Sequence, residues 1–310
     1  MDFTIIPATV YEKPEKITKF SQGFHHTLQI TPTWRESDAG GNGNNIRNFR
    51  KLLDTKQGGW GDPPLLMINH DFVHETIAEI KEYTNNSNAT LNRAVSTIKK
   101  VLNVCARSGY IQGVPVIEKL SETKRRRPAR YSKEQVDRLV QIARERGDDA
   151  LAEAILLSAY SGLRQAECRR LHVDDIDWRN NVLLVGGTAD TRTKGRNYRE
   201  VPIHPRLESL LKARTGLDRG YHDIIFDEFP NQWNLHRRWR HVLQHMNVED
   251  RTVTERHYWK TLRNSFISWH LDGGTPSMKV KEWAGHSSIT VTEGYYSYNT
   301  DHDHSLMSQV

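Results

Sequence analysis

The chain has 310 residues, with 44 Lys and Arg against 38 Asp and Glu, a net charge of +6 and a pI near 9.2. That length suggests about two domains, and an apolar fraction of 36% is enough for a real core. No apolar run reaches the roughly 18 residues of a membrane helix, and the opening residues MDFTIIPATVYEK lack a signal-peptide layout. The expectation is a cytoplasmic protein without a membrane partner. Its clustered basic residues fit a polyanion such as nucleic acid, or a merely soluble basic protein. Cys105 and Cys168 each sit inside an apolar helical pattern, which reads as buried free thiols in a reducing compartment.

Residues 1–44 form an N-terminal segment of unclear role. Within it, 24–30 (FHHTLQI) is expected as a strand and the Gly/Asn cluster at 40–45 as a loop. A helical domain follows over 45–120. One helix starts near Ile46, and a second runs from Asp71 to about Tyr83 with Asn69 as cap and Phe72, Ile77 and Ile80 as apolar positions. The clearest helix follows Asn88. Leu91, Ala94, Val95, Ile98, Val101, Leu102 and Cys105 recur at three- and four-residue steps and predict one buried stripe, ended by Gly109. Asn92, Arg93, Lys99, Lys100 and Arg107 lie off the stripe. They read as a solvated face or as a face presenting Arg, Lys and Asn to DNA.

The run Lys124-Arg125-Arg126-Arg127-Pro128-Ala129-Arg130 predicts an extended linker over 121–131, since like charges repel and Pro128 lacks a donor. It can neutralise phosphates, and alone it reads equally as a localisation tag or a solvated loop. Ser132 to Gln135 (SKEQ) fits a capping box that opens a second domain, 132–299. A more apolar helix over 151–160 ends at Ser161-Gly162. A short helix carrying Arg164 and Glu167 at i, i+3 comes next, then a turn-rich 174–181. Residues 182–185 and 201–203 are the strands, with a polar hairpin-like segment bearing Lys194 between them, and 233–246 form a basic amphipathic helix.

His241 and His245 stand four apart, but no Glu follows the first and no CxxC or third ligand accompanies them, so no metal site is expected. No Walker-type loop is present either. Taken alone, Arg164 with Glu167 is an intrahelical pair worth a few tenths of a kcal/mol; its place directly after a helix break allows it to project into a cleft. Near the end, Lys260 and Arg263 lie one turn apart, followed by Gly285-His286 and by Tyr295, Tyr296 and Tyr298. Cations, a histidine and phenols together suggest chemistry on a phosphodiester.

Five of these elements, in order, resemble the boxes of the tyrosine recombinases, the phage-integrase family. Ser161-Gly162-Leu163-Arg164-Gln165-Ala166-Glu167 resembles the first box. Lys260 with Leu262-Arg263 resembles the second, with Lys260 where the family usually keeps a His. Ala284-Gly285-His286-Ser287 resembles its Leu-Gly-His-Ser motif, and Tyr295 follows nine residues later, at the nucleophile's place. Lys194, eight residues before Pro202, matches a hairpin lysine that precedes a Val-Pro-Leu strand, here Val201-Pro202-Ile203.

The resemblance implies a mainly α fold with a small antiparallel β-sheet, a helical core-binding domain and a mixed α/β catalytic domain that clamp double-stranded DNA at a specific recombination site. It implies cleavage and rejoining through a 3′-phosphotyrosyl link that needs no ATP, metal or other cofactor. Arg164 and Arg263 would hold the non-bridging oxygens, Lys194 would protonate the leaving 5′ oxygen, and His286 and Lys260 would donate to the phosphate. Tyr295 would be the nucleophile and Glu167 would orient the site from behind. Arg93, Lys99, Lys100, Lys124, Arg125, Arg126, Arg127 and Arg130 would bind DNA. The family further implies a homotetramer on DNA, a C-terminal tail (300–310) that packs on a neighbour, association with the nucleoid, and room for an accessory DNA-bending or directionality factor. The rival readings are a type IB topoisomerase-like relaxing enzyme and a non-catalytic DNA-binding regulator.

Overall fold

In the computed structural model of the chain, the described residues are 11–34, 43–122, 129–186, 198–216, 218–246 and 258–295. The basic run 124–127, Lys194, Tyr296, Tyr298 and the expected tail lie outside them. The chain divides into two compact units, Met1–Lys124 and Arg125–Val310. Among the described residues no helix is long and apolar enough to cross a membrane.

Among the described residues the first unit has four α-helices, α1 (Phe20–Ile30), α2 (Asn44–Leu53), α3 (His70–Thr84) and α4 (Asn88–Arg107). The α4 stripe is buried as its spacing predicts, and it packs with Phe20, Phe24 and Leu28 of α1 and with Ile46, Phe49 and Leu52 of α2. Phe24 and Phe49 stack with centroids 4.0 Å apart. The strand expected at 24–30 is therefore wrong. Phe20, Phe24 and Leu28 repeat every four residues, and a window starting at Phe24 misses the first of them. Gly23 allows α1 to lie against α4, because a Cβ there would sit 2.9 Å from Cys105 Sγ. Asn69 caps α3 as expected, accepting from the Phe72 amide.

The polar side of α4 is less free than its sequence suggests. Asn92 is buried, donates to the Leu120 carbonyl and accepts from the Leu120 amide at 2.9 and 2.8 Å. Lys99 donates to the Ile117 carbonyl at 2.9 Å. Both hold the extended segment after the helix against it; Arg93 is exposed and Lys100 half-buried.

The second unit starts on helix α5 (Lys133–Glu145), where Ser132 and Gln135 form the expected capping box. Helix α6 (Asp149–Ser161) and the five-residue α7 (Gln165–Arg169) follow. A three-stranded antiparallel sheet comes next, in the order β1 (Ile176–Asp177), β2 (Val182–Val185), β3 (Arg199–Pro202). Helices α8 (Pro205–Arg214), α9 (Gln232–Gln244), α10 (Lys260–Asp272), α11 (Ser277–Ala284) and α12 (Ile289–Glu293) complete it. Helix α6 is apolar around most of its circumference and is buried accordingly. Helix α10 is buried along Leu262, Phe266 and Ile267 but also along Arg263, Asn264, Ser265 and Ser268.

The polar groups of α10 are put to use. Ser265 Oγ accepts from the Tyr131 amide at 2.7 Å, Asn264 donates to the Ala129 carbonyl at 3.0 Å, and Arg130 pairs with Asp272. The residues just after the basic run are thus fastened along α10. In the sheet, Val185 opposite Arg199 and Leu183 opposite Val201 set the register, with Arg199 and Val201 buried and Glu200 and Pro202 exposed. Pro202 is tolerated because β3 is an edge strand.

Gly162 decides where α6 stops. Its φ of +66° gives a left-handed cap, and a Cβ would lie 2.4 Å from Phe266 Cδ1 on α10. Gly162→Ala is therefore expected to cost about 2 kcal/mol or more, read as a lowered urea midpoint for the second unit. A loss below about 0.5 kcal/mol would mean that the turn is not constrained as described.

Candidate active site

Three separate stretches of the second unit meet around one carboxylate. Arg164 is the N-cap of α7, and its backbone amide donates to Glu167 Oε2 at 2.7 Å while its Nη1 donates to Oε1 at 2.8 Å. From β3, Arg199 sends Nη1 to Oε1 at 3.1 Å and Nη2 to Oε2 at 2.8 Å, a two-bond fork. From α10, Arg263 Nη1 lies 4.0 Å from Oε2. Burial would raise the Glu167 carboxyl, but the hydrogen bonds and charges of Arg199 and Arg164 outweigh it and hold it down at about 2.

The same three guanidiniums meet the end of α11. Arg199 Nε donates to the Trp283 carbonyl at 2.7 Å, Arg263 to the Ala284 carbonyl, and Arg164 Nη2 to the Gly285 carbonyl at 3.1 Å. The last carbonyls of a helix have no amide ahead of them to accept from and carry the negative end of its dipole. Three consecutive ones are served by three arginines. Gly285 makes the turn with φ +61°, and a Cβ there would come within 3.1 Å of Arg199 Cδ. Arg263 also donates to the Gly162 carbonyl at 2.7 Å, tying the end of α6 into the site. Burial and the neighbouring Arg164 push the Arg263 guanidinium down to about 9, which leaves it cationic at neutral pH.

The turn delivers His286, whose Nδ1 is 2.9 Å from Thr292 Oγ1. With that hydroxyl donating, the ring proton sits on Nε2. Burial, then Arg263, Arg164 and Lys260, push His286 down to about 4, so it is neutral at pH 7. Tyr295 stacks on it with centroids 5.9 Å apart and an interplanar angle of 21°, half-buried against the core. Lys260, exposed at the start of α10, is one turn before Arg263.

The structure thus gathers Arg164, Glu167, Lys260, Arg263, His286 and Tyr295. Sequence reading missed Arg199. The available signal was an Arg two residues before Val201 on the inward face of an edge strand, a buried charge that needs a partner. Among the described residues no group of three or more His, Cys, Asp or Glu could hold a metal; His245 Nδ1 lies 2.8 Å from the carbonyl of His241 and its Nε2 2.9 Å from Arg146.

Three guanidiniums against one carboxylate leave two formal positive charges beside a phenol, a constellation suited to phosphoryl transfer on a polyanion. The chain belongs to the phage integrase family, whose family model matches residues 129–302. It is 28% identical over 230 residues to the tyrosine recombinase XerC of Oceanobacillus iheyensis, covering 70% of this chain and 72% of that protein. It is 24% identical over 279 residues to the tyrosine recombinase XerC of Halalkalibacterium halodurans, covering 83% and 85%. Among solved structures, the Tn1549 transposon integrase in complex with a circular intermediate DNA is similar with a TM-score of 0.72 at 17% identity, covering 95% of this chain and all of that one. The XerH site-specific recombinase bound to a palindromic difH substrate gives 0.65 at 16%, covering 93% and 84%. These likenesses establish the fold: mainly helical with a small antiparallel sheet.

The pH behaviour of the site follows from the two depressed groups. The Glu167 pairing stabilises fully above its unfolded value of about 4.3 and is lost as pH falls through about 2. His286 is held neutral, so the fold is penalised as pH drops from about 6.5 towards 4, where unfolded imidazole binds a proton and the folded one does not. His286→Gln is expected to flatten the stability loss between pH 6.5 and 4 relative to wild type. In proton NMR the His286 ring should titrate near pH 4; a midpoint at 6 or above would contradict the site electrostatics.

Proposed function

We propose that the chain is a site-specific DNA recombinase whose second unit cleaves and rejoins strands through a phosphotyrosyl link formed by Tyr295. The observation that carries this reading is the phenol stacked on a neutral His286 beside Arg263 and Arg164. In the cleavage step the Tyr295 oxygen bonds to the scissile phosphorus, the bond from phosphorus to the 5′ oxygen breaks, and the phenolic proton goes to solvent. Lys194 supplies the proton taken up by the 5′ oxygen. Arg164 and Arg263 stabilise the charge that grows on the non-bridging oxygens, and His286 Nε2–H and Lys260 add donors. Because the phosphotyrosyl link stores the bond energy, rejoining by the 5′ hydroxyl reverses the step without ATP or metal.

Double-stranded DNA carrying a specific site is the proposed partner. The Tn1549 integrase and XerH, which share this fold, were solved in complex with DNA. In the first unit, exposed Arg93 and half-buried Lys100 are candidate phosphate contacts; Lys99, held on the Ile117 carbonyl, adds charge at longer range. The basic run Lys124–Arg127 fits the same role, whereas Arg130 is engaged by Asp272. We further propose a homotetramer on paired sites, in the cytoplasm at the nucleoid, helped by an accessory DNA-bending or directionality factor.

A covalent-capture assay on nicked duplexes carrying the chain's own site tests this. Wild type is expected to form a protein–DNA adduct, Tyr295→Phe none, and Tyr296→Phe a normal amount. Lys194→Ala should slow adduct formation by about 10²–10⁴-fold. Absence of any wild-type adduct would overturn the enzyme reading, and loss of the adduct in Tyr296→Phe alone would move the nucleophile by one residue.

A further inference from the structure

Arg199 is the one guanidinium of the three that has no role in the chemistry just described. It is buried, as Arg263 also is, and it is given no contact with the phosphate. Yet Nη1, Nη2 and Nε each make a hydrogen bond of 3.1 Å or shorter to another part of the site. Two go to Glu167, which in turn holds the backbone and the guanidinium of Arg164. The third goes to the Trp283 carbonyl, one residue before the carbonyl that Arg263 holds and three before His286. Its backbone is fixed by pairing with Val185 on β2, and its side chain is packed against Gly285, where a Cβ would come within 3.1 Å of Cδ.

We propose that Arg199 is a positioning residue for strand cleavage: from β3 it locks Glu167 and the Trp283 carbonyl together, and so sets both the aim of Arg164 and the placement of His286. The proposal rests on the recombinase reading of that site. A lysine could not substitute, because one ammonium cannot serve a carboxylate fork and a separate carbonyl in fixed geometry.

The test uses the full chain with Arg199→Lys, Arg199→Met and the double variant Arg199→Met/Glu167→Gln. The double variant removes the Arg199–Glu167 pair together, and Arg199→Lys keeps the comparison open where Met does not fold. Arg199→Lys is expected to melt near wild type and to bind DNA within about twofold. Its single-turnover adduct formation should nevertheless be slower by about 10²-fold, the order expected for a displaced catalytic group, and should not recover at saturating DNA.

The charged groups facing Glu167 are Arg164 on its own helix, Arg199 from β3 and Arg263 from α10. Without Arg199 the Glu167 carboxyl should rise towards the ordinary value of about 4.3. Arg199→Met should then show a new acid limb in the cleavage–pH profile, absent in wild type and in the double variant. The activity-free arm is a carbon-13 carboxyl titration in a Tyr295→Phe background, with and without Arg199→Met, and it should show the same rise. Wild-type cleavage rates in Arg199→Lys, a loss confined to DNA affinity, or an unmoved Glu167 titration would each overturn the proposal. Failure of wild type to form any adduct would instead sink the recombinase reading, while the carboxyl titration would still decide whether Arg199 controls Glu167.

Discussion

Holding three guanidiniums around one buried carboxylate is the constraint on which the second unit depends. Arg164, Arg199 and Arg263 repel one another, and Arg263 is desolvated as well, so the arrangement is unfavourable unless negative charge is supplied at short range. Glu167 supplies one formal charge. The last three carbonyls of α11 and its turn supply the rest as oriented dipoles. The balance remains positive, and that is the useful part. A phosphodiester carries one negative charge and gains a second as a nucleophile adds, so the residual field favours the transition state more than the ground state. Because the donors are fixed before the phosphate arrives, little reorganisation is needed at the moment of reaction.

The rest of the unit can be understood as what it takes to bring those groups to one point. Glu167 and Arg263 are 96 residues apart in sequence, and both must be buried. Helix α10 is therefore interior on its polar side as well as its apolar one, and its hydroxyls and amide are spent on Tyr131, Ala129 and its own backbone. Two glycines sit where the chain must turn against this cluster. Gly162 ends α6 against Phe266 and offers its carbonyl to Arg263, and Gly285 ends α11 against Arg199 and offers its carbonyl to Arg164. Both have positive φ; a Cβ at Gly162 would clash with Phe266, and one at Gly285 would crowd the Arg199 side chain.

Legibility in the sequence followed the range of the interactions. Features decided within one or two turns were readable: the Ser132–Gln135 capping box, the Asn69 cap, the α4 stripe and the 182–185 strand. The boxes around Arg164, Arg263, His286 and Tyr295 were readable because their local spacing is itself a signature. What escaped depended on partners far away in the chain. Asn92 and Lys99 look solvated on α4 until the segment at 117–122 folds back onto them. Arg199 looks like one charge among many until Glu167, 32 residues earlier, and Trp283, 84 later, are placed beside it. The helix at 20–30 is hidden for a different reason: its four-residue repeat runs through Phe20, Phe24 and Leu28, and 24–30 alone carries only two of them.

The lysine at position 260 fits the same electrostatics. His286 is pushed towards neutrality by burial first, and then by Arg263, Arg164 and Lys260. A histidine at 260 would bring a group able to donate or accept a proton near neutral pH rather than a fixed charge. An ammonium there adds a full charge, and its position at the exposed start of α10 keeps it in contact with water, which lowers the cost of keeping that charge. On the proposed chemistry, Lys260 in place of a histidine gives up a group that can accept the phenolic proton for one that strengthens the pull on the phosphate. On the proposed chemistry the site leans on charge, and proton transfer from the tyrosine is left to solvent.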